Sequence, residues 1–260
     1  MSPGPCSLTP GSVCVPNENQ VPLPALERLS TYIRCLMQLE HEGVDSVSSQ
    51  DMERFSGVSA AQFRKDLSYF GEFGKRGIGY NVRDLRGRIA QLLYVDQEQN
   101  VVLIGAGNLG AALIAYPGWH SYHFRIAAVF DRDPAKIGKP IRRVPVHHID
   151  TLAESNQEIR ARIGIVAVPA WEAQEVADRL VAAGFDALIN FAPIKLTVPK
   201  HVIIREVCFI CELAVLSHLI HNSPSRVLET DMPEDTGPEP AATNGVAPSR
   251  PVTAAALGGE

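Results

Sequence analysis

A glycine-rich turn between an apolar run and a helix-favouring run most constrains how this chain folds. Val101 to Ile104 form a continuous apolar run, the next six residues read G-x-G-x-x-G, and Ala111 to Ala115 favour helix. In this context the glycines allow a tight turn, a close approach to a pyrophosphate, and close packing of helix on strand. A bare glycine turn is the alternative, but it does not require these flanking elements. The pattern predicts a dinucleotide-binding loop made of Gly105, Ala106, Gly107, Asn108, Leu109 and Gly110.

A carboxylate at the end of the next apolar run supports the same interpretation. Ile126 to Phe130 are followed by Asp131, about 20 residues beyond Gly110, where the dinucleotide fingerprint places an acid on the adenosine ribose. Asp131 therefore favours NAD(H), since a carboxylate repels the 2′-phosphate of NADP(H). Arg132 beside it is able to pair with such a phosphate, so NADP(H) stays open as an alternative.

The rest of the second half alternates strand-like and helix-like runs. Strands are predicted at Ile163–Val168, Ala187–Asn190 and Val202–Ile204, with a helix from Trp171 to Ala183. This alternation predicts an α/β fold with a Rossmann-like doubly wound parallel sheet. The last run, Val207 to Ile220, is apolar on almost every side. We expect this helix to be buried, either in this subunit or between two subunits.

Helical periodicity predicts three helices in the first part of the chain. The first includes the regularly spaced apolar residues from Leu26 to Leu39. Each of the other two begins at a serine that is followed three residues later by Asp or Gln, which is a capping-box signature. These pairs are Ser48 with Asp51 and Ser59 with Gln62. The short turn at Gly57 between the second and third helices is typical of a helix-turn-helix.

The third helix and the glycine-rich ribbon after it carry a basic surface. Basic residues outnumber acidic ones between Arg64 and Arg88, although the net charge of the chain is −5. Phe63, Leu67 and Phe70 share one helical face, which we expect to point into the core. The other face and the ribbon resemble the reading helix and wing of a winged helix, although a solvated helix face is the alternative. The predicted DNA contacts are Arg64, Lys65, Ser68 and Tyr69 in the helix, and Lys75 and Arg76 in the ribbon.

The composition of the two ends predicts disorder and limits the globular part. Residues 1–20 are rich in proline and glycine, and residues 224–260 are rich in proline and carry an acidic bias. The predicted organisation is a disordered leader (1–20), a winged-helix domain (21–97), a Rossmann NAD(H)-binding domain (98–205), a dimerisation helix (206–223) and a disordered acidic tail (224–260).

Cysteine usage and hydropathy favour a cytoplasmic protein. The chain has five cysteines, an odd number, and it does not open on a signal-peptide pattern. The uncharged segment from Val101 to Trp119 is interrupted by glycines and by Pro117, which argues against a membrane span. Cys208 and Cys211 form a C-x-x-C pair without a second ligand pair, so packing is favoured over redox or metal work, and no metal is predicted.

Residues with the pattern of a catalyst are not evident beside the predicted nucleotide loop. The sequence has no Tyr-x-x-x-Lys pair, and the adjacent His147 and His148 are interpreted as a surface turn. Hydride transfer needs a positioned acid or base, so a non-enzyme is favoured. Two alternatives remain: an NAD-dependent oxidoreductase with a helical cap, and a nucleotide-binding scaffold, for example for coenzyme A, that does not bind DNA.

Taken together, the two halves resemble the Rex family of redox-sensing transcriptional repressors over nearly all of residues 21–222. The residues that carry the resemblance are Arg64 to Gly71 in the third helix, Arg76 to Tyr80 in the ribbon, Gly105 to Gly110, Tyr116 to Gly118, and Asn190 to Pro193. The resemblance implies a homodimer whose winged helices bind a palindromic operator. Its Rossmann domains would sense the NADH/NAD+ balance, and its last helix would be exchanged between subunits.

The resemblance also implies roles for single residues. Tyr116 and Phe191 would lie near the nicotinamide, Asp131 on the adenosine ribose, and Arg76 in the minor groove. Coupling between the domains would involve Arg34, Tyr116 and the position of Asn190. Asn190 departs from the family pattern, because an amide cannot form the salt bridge that this network is thought to contain.

Overall fold

The structure, a computed structural model, describes residues 21–71, 73 and 79–222. The chain divides into two units between Ile210 and Cys211. The predicted disordered ends, and Lys75 and Arg76 of the ribbon, lie outside the described residues. The domain boundaries given above stay predictions.

The N-terminal part consists of four helices and a two-stranded antiparallel sheet. The elements are α1 (Leu23–His41), β1 (Ser46–Val47), α2 (Ser49–Ser56), α3 (Ala60–Ser68), β2 (Tyr80–Asn81) and α4 (Val82–Leu92). Gly57, with a φ of 71°, makes the predicted turn between α2 and α3. Because β1 precedes α2 and β2 follows α3, the small sheet closes the helix-turn-helix at both ends, as in a winged helix.

The starts of α2 and α3 differ in how they are capped. At α2 the predicted capping box is present, since the Ser48 hydroxyl accepts from the Asp51 N–H at 3.1 Å and the Asp51 carboxylate accepts from the Ser48 N–H at 2.9 Å. At α3 the Ser59 hydroxyl accepts from the Gln62 N–H at 3.2 Å. The second half of that predicted box is wrong, because the Gln62 amide instead donates to the buried Asp66 carboxylate at 2.7 Å.

Local sequence patterns do not predict α4, and its basic residues are counted only with the basic surface between Arg64 and Arg88. Val82, Leu85 and Ile89 are buried along one side of this helix. On α1, the Glu40 carboxylate accepts a hydrogen bond from Arg83 at 3.2 Å and forms an ion pair with Arg86, whose Nε lies 2.6 Å away. Packing on α1 and these two ion pairs therefore stabilise a helix that local periodicity alone does not make evident.

The predicted core face of α3 is confirmed. Phe63, Leu67 and Phe70 are buried. The Phe63 ring meets Tyr32 of α1 and Tyr80 of β2 edge to face, with ring centroids 4.9 and 5.4 Å apart. Aromatic contacts of this kind add to the apolar burial, so Phe63 joins α3 to both a helix and the small sheet.

A buried carboxylate on α3 is held by three donors. Asp66 is fully buried and accepts from the Arg28 guanidinium at 2.6 and 2.7 Å, and from the Tyr32 hydroxyl at 2.8 Å. Burial raises the pKa of Asp66, but the hydrogen bonds from Arg28, Gln62 and Tyr32 outweigh it, and the pKa lies below its ordinary value. Asp66 is therefore a charged anchor between α1 and α3.

The second part is a six-stranded parallel sheet with helices between its strands. The strands are β3 (Gln99–Ile104), β4 (Phe124–Asp131), β5 (Val146–His148), β6 (Ile163–Val166), β7 (Ala187–Asn190) and β8 (Ile203–Glu206). The helices are α5 (Asn108–Ala115), α6 (Leu152–Ile159) and α7 (Ala170–Ala182). The strand order β5-β4-β3-β6-β7-β8 is that of dinucleotide-binding sheets, with its topological switch between β3 and β6. The predicted α/β fold class is confirmed.

The interpretation of His147 and His148 as a surface turn is wrong. Both belong to β5, which pairs with the end of β4 and places His148 beside Asp131 in the register. The His147 ring lies 5.6 Å from the Phe130 ring. Three residues are too few for a period-two pattern to be recognised, so pairing with β4 decides the outcome.

A 3-10 helix, Pro117–Tyr122, joins α5 to β4 and connects the two parts of the fold. Tyr122, at its end, and Phe124, at the start of β4, pack against the buried cluster of the N-terminal helices. Phe124 also packs against the buried cluster of the parallel sheet that includes Val101 and Leu103. The connector that follows the glycine-rich loop is therefore part of both hydrophobic cores.

The last helix, α8 (Phe209–Asn222), presents apolar side chains to solvent in the single chain. The most exposed are Ile210 at 74% and Ile220 at 73%. Burial of this helix, in its own subunit or between two subunits, stays a prediction.

Replacing Arg28 by alanine should lower the free energy of unfolding by about 3 kcal/mol, because it leaves the buried Asp66 carboxylate without its charged partner. Arg54→Ala is the matched control, since Arg54 also pairs with an aspartate, Asp51, at 2.8 Å but is exposed. The control should cost less than about 0.5 kcal/mol. Urea unfolding followed by circular dichroism measures both, and equal losses would contradict the anchor role.

The same pair predicts the direction of a pH effect. The pKa of Asp66 is depressed in the folded state, so its contribution to stability is present above the ordinary carboxyl pKa of about 4 and is lost as the pH falls further. Unfolding measured between pH 7 and pH 3 should show a shallower decline for Arg28→Ala than for the wild type.

Candidate functional site

A cleft opens at the carboxyl ends of the central strands, where the strand order reverses. Its volume is about 800 Å³. Gly105 and Gly107 form one side, Asp131 at the end of β4 forms another, and Val168 and Pro169 follow β6 on the third. In open α/β sheets this crevice is where ligands bind, and its size suits a dinucleotide.

The glycines bring the loop against the neighbouring strand. Gly105 has a φ of 111°, and a Cβ built on it would collide with the Ala167 carbonyl that follows β6. A Cβ on Gly110 would collide with the carbonyl oxygen of Gly105, whereas a Cβ on Gly107 would meet nothing within 4 Å. Gly105 and Gly110 are therefore required by the fold itself, and Gly107 leaves open space that a ligand can approach.

The start of α5 provides donors toward that open space. Its N-cap residue is Gly107, so no side chain caps the helix. The first N–H groups of a helix have no partner within the helix, and with the helix dipole they favour an anion such as a pyrophosphate. These groups belong to Asn108, Leu109 and Gly110, which the sequence analysis assigns to the nucleotide.

Asp131 is the best-defined polar group of the cleft. It is 9% exposed, and its carboxylate accepts from the Ala106 N–H at 2.7 Å, the Asp133 N–H at 2.9 Å and the Lys136 ammonium at 3.1 Å. Burial raises its pKa, but these donors outweigh burial and hold the pKa below its ordinary value. The carboxylate is charged and fixed against the glycine-rich loop, as an acceptor for ribose hydroxyls needs to be.

Two cations of the cleft, Lys136 and Arg179, were not singled out by sequence patterns. Lys136 lies beside Asp131, and His148 lines the same cleft. Arg179 crosses to Asp150 at 2.6 Å and to Glu175 at 3.0 Å. Arg132, the candidate partner for a 2′-phosphate, is instead paired with Glu172 at 2.7 Å. The position of Lys136 five residues after the fingerprint acid is the one signal that sequence reading could have used.

Two residues placed near the nicotinamide by resemblance do not line this cleft. Tyr116 is 60% exposed, and its ring meets the Trp119 ring edge to face at 6.2 Å. The Phe191 ring lies 6.4 Å from the Phe209 ring at the start of α8. Their assignment to the nicotinamide stays a prediction.

Only some side chains on the predicted reading face of α3 are free to contact DNA. Lys65 and Ser68 are exposed, and the Ser68 hydroxyl donates back to the Lys65 carbonyl at 2.6 Å. Arg64 is exposed but its guanidinium donates to the Ser49 hydroxyl of α2 at 2.7 Å. Tyr69 is half-buried and packs against the N-terminal core. Lys65 is therefore the reading-face cation with the freest side chain in the described part of α3.

The predicted coupling residues are not all in one place. Asn190 is buried at the end of β7, where its amide donates to the Ile194 carbonyl at 2.8 Å and accepts from the Ala192 N–H at 2.9 Å. Asn190 therefore stabilises the loop that follows β7. Arg34 instead acts on Tyr122: burial raises the pKa of Tyr122, and the charge of Arg34 opposes that shift. The electrostatic interaction with Tyr116 raises the pKa of Tyr122 as well. Sequence reasoning did not identify Tyr122.

Cys208 and Cys211 lie at the start of the last helix. Cys208 and Cys211 are exposed and disulfide-bonded, so their interpretation as buried apolar thiols is wrong. Among residues 21–71, 73 and 79–222, no group of three His, Cys, Asp or Glu side chains is placed to hold a metal ion. Within the same ranges, no helix has the length and apolar character needed to cross a membrane.

The fold and the cleft define the class: a helix-turn-helix DNA-binding protein joined to a Rossmann nucleotide-binding unit. Two family models agree, a CoA binding domain over residues 96–194 and a putative DNA-binding protein N-terminus over residues 20–68. A redox-sensing transcriptional repressor Rex from Carboxydothermus hydrogenoformans is 48% identical over 76% of this chain and 95% of its own. The one from Streptomyces coelicolor is 44% identical over 76% of each chain. The chain belongs to the Rex family of redox-sensing transcriptional repressors.

Solved structures give the same result. A crystal structure of RSP in complex with β-NAD+ and operator DNA has a TM-score of 0.73 and 37% identity, covering 77% of this chain and 93% of that one. A crystal structure of RSP in complex with β-NADH has a TM-score of 0.71 and 36% identity, covering 78% and 95%.

The two glycines of the loop should respond differently to alanine. Gly107→Ala fits without a clash, so its melting temperature should match the wild type while NADH affinity falls about tenfold or more, roughly 1.4 kcal/mol, because the methyl group occupies the ligand's approach. Gly110→Ala is the fold control, and its melting temperature should drop by about 5 °C. Differential scanning fluorimetry and fluorescence titration with NADH measure these effects. Unchanged NADH affinity in Gly107→Ala would place the pyrophosphate elsewhere.

Proposed function

We propose that this chain is a transcriptional repressor that binds operator DNA and leaves it when NADH fills the cleft beside Gly107 and Asp131. The observation that carries the proposal is that one compact unit contains both a basic helix-turn-helix and a dinucleotide cleft at the switch point of its sheet. The nucleotide is then a sensed ligand and not a reactant. We also propose that this repressor works in the cytoplasm.

The cleft's own residues support NAD(H) as the ligand. The open space at Gly107 and the uncapped start of α5 suit a pyrophosphate, and the fixed Asp131 carboxylate suits the two free hydroxyls of an adenosine ribose. Arg132, the candidate partner for a 2′-phosphate, is paired with Glu172, and Lys136 is paired with Asp131. These features favour NAD(H) over NADP(H).

Preference for the reduced form would come from the surroundings of the nicotinamide. Oxidised nicotinamide carries a positive charge that the reduced ring lacks. Tyr116 and Phe191, the residues assigned to this end by family resemblance, provide aromatic surface and no carboxylate. Desolvating a cation without a compensating negative charge is costly, so NADH should bind more tightly than NAD+.

On the DNA side, α3 is the proposed reading helix of each subunit in a homodimer. Arg64, Lys65, Ser68 and Tyr69 would face the major groove, with Lys75 and Arg76 in the adjoining wing. The apolar side chains of α8 are exposed in the single chain. Exposed apolar patches normally mark an interface, so they fit the proposed exchange of this helix between subunits. A two-fold dimer would read two half-sites of a palindrome.

Coupling would pass along α1 and the connector after α5. α1 carries Arg28, which holds Asp66 of α3, and Arg34, whose charge acts on Tyr122. Tyr122 ends the 3-10 helix that begins just after α5 and packs against the N-terminal core, so a shift of α5 on ligand binding would be passed to that core through Tyr122. Asn190 does not need to form a salt bridge in this arrangement. About 100-fold weaker DNA binding requires roughly 2.7 kcal/mol of coupling.

The first experiment is fluorescence anisotropy of a labelled DNA fragment from upstream of the protein's own gene. NADH should release the DNA, and NAD+ at equal concentration should not. Coenzyme A serves as a control, because one matched family model is named for it. Release by coenzyme A alone, or no response to any nucleotide, would refute the sensor. By reciprocity, saturating DNA should weaken NADH binding by the same factor.

Lys65→Ala tests the reading helix. It should weaken operator binding and, if Lys65 meets a phosphate, reduce the slope of log affinity against log salt by about one unit. Lys200→Ala is the matched control, because Lys200 is an exposed lysine in the turn before β8. This control should change neither the operator affinity nor its salt dependence. NADH affinity without DNA should be the same in both variants. Equal effects of the two substitutions on DNA binding would mean that only net charge matters.

A further inference from the structure

A second cleft lies at the opposite end of β4 from the dinucleotide cleft. It is lined by Phe124 and Arg125 at the start of β4, by Arg142 and Arg143, and by Trp119 and His120 of the connector. We name it the arginine cleft. It shares no lining residue with the dinucleotide cleft. Arg125 and Asp131 are six residues apart on one strand, which is about 20 Å.

The turn that carries two of these arginines is strained. Ile141 and Val144 exchange backbone hydrogen bonds of 3.0 and 2.9 Å, so Arg142 and Arg143 are the two central residues of a hairpin. Their φ angles are 47° and 74°. Such a turn normally has Asn-Gly, because a positive φ costs a residue with a Cβ about 1 kcal/mol or more. Strain of this kind is found at ligand clamps.

Two of the three arginine charges of the arginine cleft are not compensated. Arg125 pairs with Glu98 at 3.1 Å and with the Asn100 amide oxygen at 2.8 Å. Arg142 and Arg143 are exposed and make no hydrogen bond or ion pair with any residue in the described part of the chain. None of the described residues that line the cleft is acidic. Adjacent guanidinium groups repel each other, and a bound anion would remove that repulsion.

The size and walls of the cleft limit what the anion can be. Its volume is about 400 Å³, half that of the dinucleotide cleft. Trp119, Phe124 and Pro145 give it apolar and aromatic surface beside the cations. This volume is at the lower end of ligand pockets, so it suits a mononucleotide and not a dinucleotide. Guanidinium groups match phosphate oxygens in pairs, which favours phosphate over other anions.

We propose that the arginine cleft is a second ligand site, separate from the NAD(H) cleft, that binds a small phosphorylated molecule of mononucleotide size. Arg142 and Arg143 contact the phosphates, and the surface of Trp119, Phe124 and Pro145 receives the apolar part. The proposal does not depend on the NADH response, because the two clefts share no residue.

Calorimetric titration of the full-length protein tests the site. ATP and inorganic pyrophosphate are the probes, and adenosine is the uncharged comparison. NADH is present at saturation, so that the dinucleotide cleft is filled. ATP and pyrophosphate should both bind, more weakly as salt is raised, and adenosine should not. Failure of ATP and pyrophosphate to bind the wild type would overturn the proposal.

A matched pair of variants locates the binding. Arg143→Gly and Arg160→Gly each remove one positive charge and one positive-φ side chain, but Arg160 ends α6 and lines neither cleft. Both should melt at a higher temperature than the wild type, because glycine relieves the strain. Only Arg143→Gly should weaken ATP and pyrophosphate, by about tenfold or more.

Two results would contradict the assignment. Equal weakening by Arg160→Gly would show that only net charge attracts the probes. Loss of operator affinity in Arg143→Gly with unchanged ATP affinity would show that the arginines contact DNA phosphates and not a small ligand. The NADH titration of each variant is read separately, so failure of the redox-sensing function does not decide this test.

Discussion

The close approach of the glycine-rich turn to its neighbouring strand determines the geometry of the nucleotide cleft. Gly105 lies against the Ala167 carbonyl, and Gly110 lies against the carbonyl of Gly105, so neither position has room for a side chain. This contact sets α5 directly on β3 and leaves the start of α5 open. It also brings the Ala106 N–H to 2.7 Å from Asp131, so loop and carboxylate form one rigid site. The affinity of such a site benefits from being formed in advance.

The N-terminal part depends on α1 in a comparable way. Arg28 of α1 holds the buried Asp66 of α3, and Glu27, its neighbour, pairs with Arg205 of β8 at 2.7 Å. Tyr122 of the connector packs against the buried cluster to which α1 contributes. α1 therefore contacts the reading helix and the last strand of the sheet, and it shares a core with the segment that follows the nucleotide loop. We propose α1 as the physical route by which a ligand moves α3.

The basic residues of this chain differ in whether a carboxylate lies beside them. Arg28, Arg132 and Arg179 are each matched by carboxylates, so they organise structure. Lys65 on α3 and the pair Arg142 and Arg143 project into solvent without such partners in the described residues. Composition counts all of these as positive charge. The positions of the carboxylates in the structure distinguish basic residues that stabilise the fold from basic residues that are available to bind phosphate.

The sequence by itself determined the elements that depend on local spacing. The G-x-G-x-x-G turn, the Ser48 capping box, the Gly57 turn and the buried face of Phe63, Leu67 and Phe70 were all predicted, because each follows from neighbouring residues. Contacts between distant residues were not predictable in this way. The helix α4, the short strand β5, the Asp66 anchor and the role of Tyr122 were decided by tertiary packing, since each depends on a partner far along the chain that no local pattern records.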